Sequence, residues 1–301
     1  MNKKEQPRTG QRYGHHPRAG KYQKKTKPPV MRWVLIVLVL VSGFSILSLG
    51  GLAVKRGSEE RELEKLASMV RETTTPQPTE TEVHVFPEGP LSTDPDEPKQ
   101  SPLLPQYSAL YQQNPELFGW ICIEDTRLNY PVMHTPQDPT KYLHTDFNGA
   151  YSFSGIPFLD ANCSADSDNL LIYGHNMSDG FMFRSLLKYE NRDYWKSHPV
   201  IRFDTLYEEQ EYEVLAAFYD RVYTNQEDVF KFYQFIDAEN QEDFDHAVAQ
   251  FREKSIYDTQ VEASYGDQLL TLVTCAYHTD NGRFVVVARK VQHEPDGFAL
   301  S

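Results

Sequence analysis

Residues 268–291 read QLLTLVTCAYHTDNGRFVVVARKV. Two β-rich runs, 268–275 and 283–291, flank a short polar stretch. If they pair as a hairpin, Arg283 lies near Cys275 across the loop. A cysteine at a strand end is held rigidly yet remains reachable, which suits a nucleophile. An arginine cannot lose its proton, so Arg283 would supply a permanent donor to a carbonyl oxygen becoming negative. Taken alone, Arg283 reads equally well as a surface arginine on a strand.

Upstream, six more short apolar runs are separated by turn residues: FGWICI (118–123), LNYPVM (128–133), GIPFLD (155–160), NLLIYGH (169–175), VIRFDT (200–205) and EYEVLAAFY (211–219). Eight short strands at these spacings predict a mostly β fold, closed as a largely antiparallel barrel. The fourth run stays apolar until Gly174 and then delivers His175 at its end. The chain has ten histidines, and a lone histidine is more often incidental than catalytic. The placement of His175 at a strand end is what singles it out.

Helical patterns interrupt the strands. Residues 106–117 place Tyr107, Leu110 and Tyr111 on one side, and residues 181–189 form a second helical insertion. A third runs from about 226 to 254, with Phe244, Ala247, Val248 and Phe251 at helical spacing and Asn240 as N-cap. That stripe reads as packing against the barrel. Three cysteines cannot close a disulfide framework. Cys122 and Cys163 read as small buried hydrophobes. His278 follows Cys275 by three residues, but two ligands do not make a metal site, so neither metal nor cofactor is expected.

Thr271-Leu272-Val273-Thr274-Cys275, Arg283 and a strand-end His175 about a hundred residues upstream together resemble the sortases, cysteine transpeptidases of Gram-positive cell surfaces. The details are similar to class B: IYGHNM (172–177) followed by a Met-Phe-x-x-Leu helix (182–186), Asn114-Pro115 with Gly119-Trp120-Ile121, Tyr130-Pro131-Val132, and a long helix before the cysteine strand. Val273 departs from the pattern, since many class B members carry Ser there. The resemblance covers residues 106–291 and implies a sortase-type barrel. It further implies that Cys275 attacks the Thr carbonyl of a C-terminal sorting signal and that His175 protonates the leaving amine. Arg283 would steady the oxyanion, and Thr274 would touch substrate. A thioacyl-enzyme would pass to an amine of peptidoglycan precursor or a pilin lysine. The partners implied are surface or pilin proteins bearing that signal. Papain-like enzymes place Cys before His, and L,D-transpeptidases set Gly-Cys beside the Arg, so both fit less well. The rivals are a stalked non-catalytic surface protein and a cysteine endopeptidase that only hydrolyses.

The N-terminal third concerns placement. Residues 1–32 carry ten Lys or Arg and one acidic residue, so they hold +9 of an overall −13 and leave −22 on the remainder. Such an acidic remainder argues against nucleic acid as a partner. Residues 33–54 contain no charge over 22 residues, enough for a transmembrane helix. The basic flank puts 1–32 in the cytoplasm and the rest outside. A buried core helix or a cleaved signal peptide ending at Gly51-Leu52-Ala53 are the competing readings. Residues 55–105 then comprise a short amphipathic helix, expected to be solvated, with Leu63, Leu66, Ala67 and Val70 on one face, and a stalk with eight prolines in 73–105. The catalytic domain is expected over 106–293, with no core residue before it, followed by a tail at 294–301.

Overall fold

The computed structural model describes residues 29–74 and 102–292. The basic tail up to residue 28, most of the Pro-rich stalk and the C-terminal tail lie outside the described residues. Eight strands form one closed barrel: β1 (Leu117–Cys122), β2 (Asn129–Met133), β3 (Phe158–Leu159), β4 (Asn169–Tyr173), β5 (Val200–Thr205), β6 (Glu211–Arg221), β7 (Leu269–Cys275) and β8 (Gly282–Lys290). Each falls on one of the eight expected runs. Their order around the barrel is β1-β2-β3-β4-β7-β8-β6-β5, and β5 pairs back onto β1. Closure leaves no exposed edge for another chain to pair with.

The pairing is antiparallel except at β2–β3 and β4–β7, which are parallel. The second exception positions the chemistry. Two parallel neighbours end at the same rim of the barrel, and the antiparallel β8 begins there. β4 and β7 do not alternate, Leu170 to Ile172 and Leu269 to Leu272 being fully buried and all apolar apart from Thr271. That is the composition of strands covered on both faces. The polar atoms among them are satisfied: Asn169 Nδ2 donates to the Phe235 carbonyl at 2.7 Å, and Thr271 Oγ1 donates to Asn169 Oδ1 at 2.7 Å.

The helices follow the sequence with two shifts. Helix α2 (Pro105–Gln113) buries Tyr107 and Leu110. The 181–189 insertion is a 3-10 helix, Phe183–Glu190. Its buried Phe183, Leu186 and Tyr189 recur every three residues, the period of that helix rather than of an α-helix. The short α3 (Arg192–Ser197) follows it. The third insertion becomes α4 only at Gln241–Lys254. Asn240 accepts a hydrogen bond from the Asp243 N–H at 3.2 Å. Its extended backbone excludes a helix running through from 226. Phe244, Ala247, Val248 and Phe251 are buried, as the stripe required.

One expectation is corrected. Helix α1 spans Pro29–Thr74. Its residues through Arg56 belong to one compact unit, and those from Gly57 onward belong with the barrel. Within the barrel unit, Leu63, Leu66, Ala67 and Val70 are buried in the common core rather than solvated. Glu62 accepts from Asn148 Nδ2, and Glu59 accepts from the Phe153 N–H at 3.4 Å and Ser154 Oγ at 3.1 Å. The core therefore does have members before residue 106. In the other unit, the described large apolar side chains of 33–54 are exposed. Among the described residues no helix is long and apolar enough to cross a membrane. The Leu49, Leu52 and Ala53 side chains of that run are outside the described set.

Candidate active site

Three strand ends meet at one rim. β4 continues past Tyr173 for one further rung, where the Gly174 N–H donates to the Val273 carbonyl at 3.1 Å, and the next residue is His175. β7 ends on Cys275, whose partner across the hairpin is Arg283. The Ala276 N–H donates to the Gly282 carbonyl at 3.0 Å. Cys275 and Arg283 therefore form the adjacent rung without mutual hydrogen bonds, in which facing Cα atoms come to about 4.5 Å and side chains share a face.

Two glycines permit this crowding. A Cβ on Gly174 would meet the Phe183 ring at 2.6 Å, and one on Gly282 would collide with the Ala276 carbonyl oxygen and the His278 ring.

Each candidate side chain has a neighbour that restrains it. The His175 Nε2 lies 2.9 Å from the Leu143 carbonyl. A carbonyl only accepts, so Nε2 carries the hydrogen of that bond and Nδ1 is the nitrogen left for proton exchange. Asn176 Nδ2 donates to the Cys275 carbonyl at 2.7 Å, and Arg184 Nη1 donates to Asn176 Oδ1 at 3.0 Å. This ties the histidine loop to the cysteine strand. Arg283 Nη1 donates to the carbonyls of Gly282 at 3.0 Å and Asn281 at 3.2 Å, leaving its other N–H groups for a ligand. Burial pushes the Tyr173 phenol up, Asp160 adds to that push, and Arg283 pulls the other way.

His175, Cys275, Arg283 and Thr274 line one cleft of about 600 Å³, with Leu143, Phe158, Tyr173 and Val273 as apolar wall and Thr140, Asp160 and Asn162 as polar wall. Its size suits a peptide segment. A larger hollow of about 910 Å³ lies at the opposite rim, where β4 and β7 begin and β8 ends, and its walls hold no thiol or imidazole. Thr274 differs from expectation in its use. It is 1% exposed, and its Oγ1 donates to the Gly174 carbonyl at 2.8 Å. Its hydroxyl joins the two strand ends.

The other two thiols sit elsewhere. Cys163 is buried, with Sγ 3.4 Å from the Asn169 carbonyl and 3.5 Å from the Leu171 N–H, and burial pushes it up to about 12. Burial also raises half-buried Cys122. The residues missed in the sequence are Leu143, Asn176 and the 136–140 wall. Asn176 stands directly after His175, which was a usable signal. A carbonyl acceptor has no side-chain signature, so Leu143 was not legible.

The sortase domain family model matches residues 121–291, from β1 to the end of β8. The chain is 31% identical over 188 residues to Sortase B of Listeria monocytogenes, covering 60% of this chain and 72% of that one. Among solved structures, the Staphylococcus aureus sortase B–substrate complex superposes with a TM-score of 0.65 at 25% identity, covering 80% of this chain and all of that one. A Sortase B complexed with triglycine superposes with a TM-score of 0.64 at 25% identity over 80% of this chain and all of that one. Matched along the barrel in sequence and in three dimensions, with its relatives named as Sortase B, this chain belongs to the sortase family.

Proposed function

We propose that this chain is a membrane-anchored cysteine transpeptidase that cleaves a C-terminal sorting signal and transfers the acyl part to an amine. The observation that carries the reading is the meeting of Cys275, His175 and Arg283 in one cleft, at the rim set by the parallel β4–β7 pair. The Cys275 sulfur, as thiolate, attacks the Thr carbonyl carbon of the signal. The oxygen takes the charge and is met by Arg283, whose fixed donors act without reorganisation. Collapse breaks the peptide bond, and the leaving amine takes a proton from His175 Nδ1. The thioacyl-enzyme is then attacked by an amine, whose proton returns to His175, and the thiolate is regenerated.

The substrate-bound and triglycine-bound Sortase B structures that the barrel resembles support a peptide acyl donor and an amine acceptor. The acceptor would be a peptidoglycan-precursor amine or a pilin lysine. The charge-free run 33–54 behind ten basic residues supports a single span with residues 1–32 inside and the barrel outside. Such an anchor holds the site where lipid-linked precursors and newly exported proteins are concentrated.

The test is intact-mass spectrometry of the protein incubated with sorting-signal peptides. The expected result is an acyl adduct on Cys275 that is absent in Cys275→Ala. An adduct that persists in Cys275→Ala removes the assigned nucleophile. Failure of every peptide and every pilin-type substrate to acylate the protein would leave the stalked, non-catalytic surface protein.

A further inference from the structure

His175 is held along one edge by the Leu143 carbonyl. A hydrogen bond to a ring nitrogen fixes a direction in the ring plane but allows the ring to rotate about that bond. The residue after Leu143 supplies the missing restraint. The His144 ring stacks on the His175 ring, with centroids 5.6 Å apart and planes at 28°. The His144 ring also stacks with Tyr151, at 6.0 Å and 26°. His144 thus contacts two aromatic rings, one of them that of the proposed proton donor.

The segment carrying His144 is built to be stiff. Thr145 and Tyr151 form an antiparallel bridge. The Ser152 N–H donates to the His144 carbonyl at 2.9 Å, and Asp146 Oδ1 accepts from the Asn148 and Ala150 N–H groups at 3.0 and 2.8 Å. Past Tyr151, Phe153 and Ser154 donate to Glu59 of α1, so the loop is clamped at both ends. Rigid support of this kind is what a proton-transfer group requires, since a productive geometry tolerates only about 0.5 Å and 10–20°.

We propose that His144 is a positioning residue for the transfer reaction, acting as an aromatic plate that locks the His175 ring with Nδ1 turned to the cleft. The proposal rests on His175 being the proton donor of the reaction described above. It assigns His144 no contact with substrate. Its requirement is for a flat ring, not for an imidazole.

The test uses the full chain in detergent and three proteins: wild type, His144→Ala and His144→Phe. A stacked aromatic pair of this kind corresponds to roughly a three- to tenfold effect on a rate. The Ala variant should lose that much kcat with KM within about twofold, and the Phe variant should recover to within about twofold of wild type. Nitrogen NMR of ¹⁵N-histidine-labelled protein, with the His175 signals identified by their loss in His175→Gln, provides a readout independent of turnover. Wild type and the Phe variant should show one fixed set of His175 ring-nitrogen signals with hydrogen held on Nε2, and the Ala variant should show averaged ring nitrogens. Unchanged kcat and unchanged spectra in the Ala variant overturn the proposal, as does a Phe variant as impaired as Ala. If wild type forms no thioacyl adduct, the enzyme reading fails, and the spectra still decide whether His144 orients His175.

Discussion

Replacing Leu66 by Ala tests the merger of α1 with the barrel. Leu66 is 3% exposed and shares a helix face with Leu63, Ala67 and Val70, all in the common core. Burying a leucine side chain contributes about 1.5–3 kcal/mol, and truncation to alanine in a packed site costs about 2–5 kcal/mol once the cavity is counted. Beside this face lies a hollow of about 400 Å³ lined by Leu63, Ala67, Tyr130 and Phe181 and open to solvent. Relaxation and water entry from that side should hold the loss toward the low end, about 2–3 kcal/mol. For a unit of this length each kcal/mol lowers Tm by about 2–4 °C, so a fall of about 5–10 °C is expected. The assay is calorimetry and urea unfolding of the protein beginning at Gly57, with exposed Lys65→Ala as comparator, expected within about 0.5 kcal/mol of wild type. If Leu66→Ala matches Lys65→Ala, and a protein beginning at residue 102 melts with the one beginning at Gly57, the helix is not part of the fold.

Arg283→Lys should lower kcat/KM by roughly 10²–10³, or about 2.7–4 kcal/mol of barrier, because a lysine keeps the charge but loses the planar donors; activity within a few-fold of wild type would make Arg283 a diffuse charge only. Gly174→Ala should impair turnover more than folding, since its methyl group pushes on Phe183 directly beside His175; a thermal midpoint and a kcat both near wild type would show that the strand end adjusts freely. A thiol-directed reagent at pH 8 should label Cys275 ahead of Cys122, while Cys163, pushed up to about 12 by burial, should react only on unfolding; peptide mapping reads the order, and early labelling of Cys163 would contradict its burial.

The barrel was legible because each strand is a short apolar run bounded by turn residues, and the meeting of His175, Cys275 and Arg283 in one cleft was legible because each stands at the end or start of such a run. The parallel β4–β7 pair was not, since nothing in either strand announces its neighbour. That pairing is set by the long crossover from Gly174 to Gln268. The buried face of α1 was legible as a face but not as a contact: Leu63, Leu66, Ala67 and Val70 repeat at helical spacing whether or not a barrel receives them. The 3-10 geometry of 183–190 was present in the spacing of Phe183, Leu186 and Tyr189, which fits a period of three. Thr274 shows a use of its side chain that adjacency to the thiol does not reveal. Strand alternation turns its side chain to the opposite face from Cys275, where its hydroxyl ties the two strand ends, while the residue still lines the cleft.

Hydrolysis and transpeptidation share the first half-reaction, so Cys275, His175 and Arg283 do not separate them. The direct measurement is mass spectrometry of the products of an accepted sorting peptide over a range of amine concentrations, using oligoglycine, diaminopimelate-type and lysine amines. A transpeptidase should release the free acid only slowly in water alone. With a matching amine it should give an amide product whose share and rate rise with amine concentration. Free acid as the sole product with every amine, at a rate independent of amine concentration, would contradict transpeptidation and make the protein a surface endopeptidase.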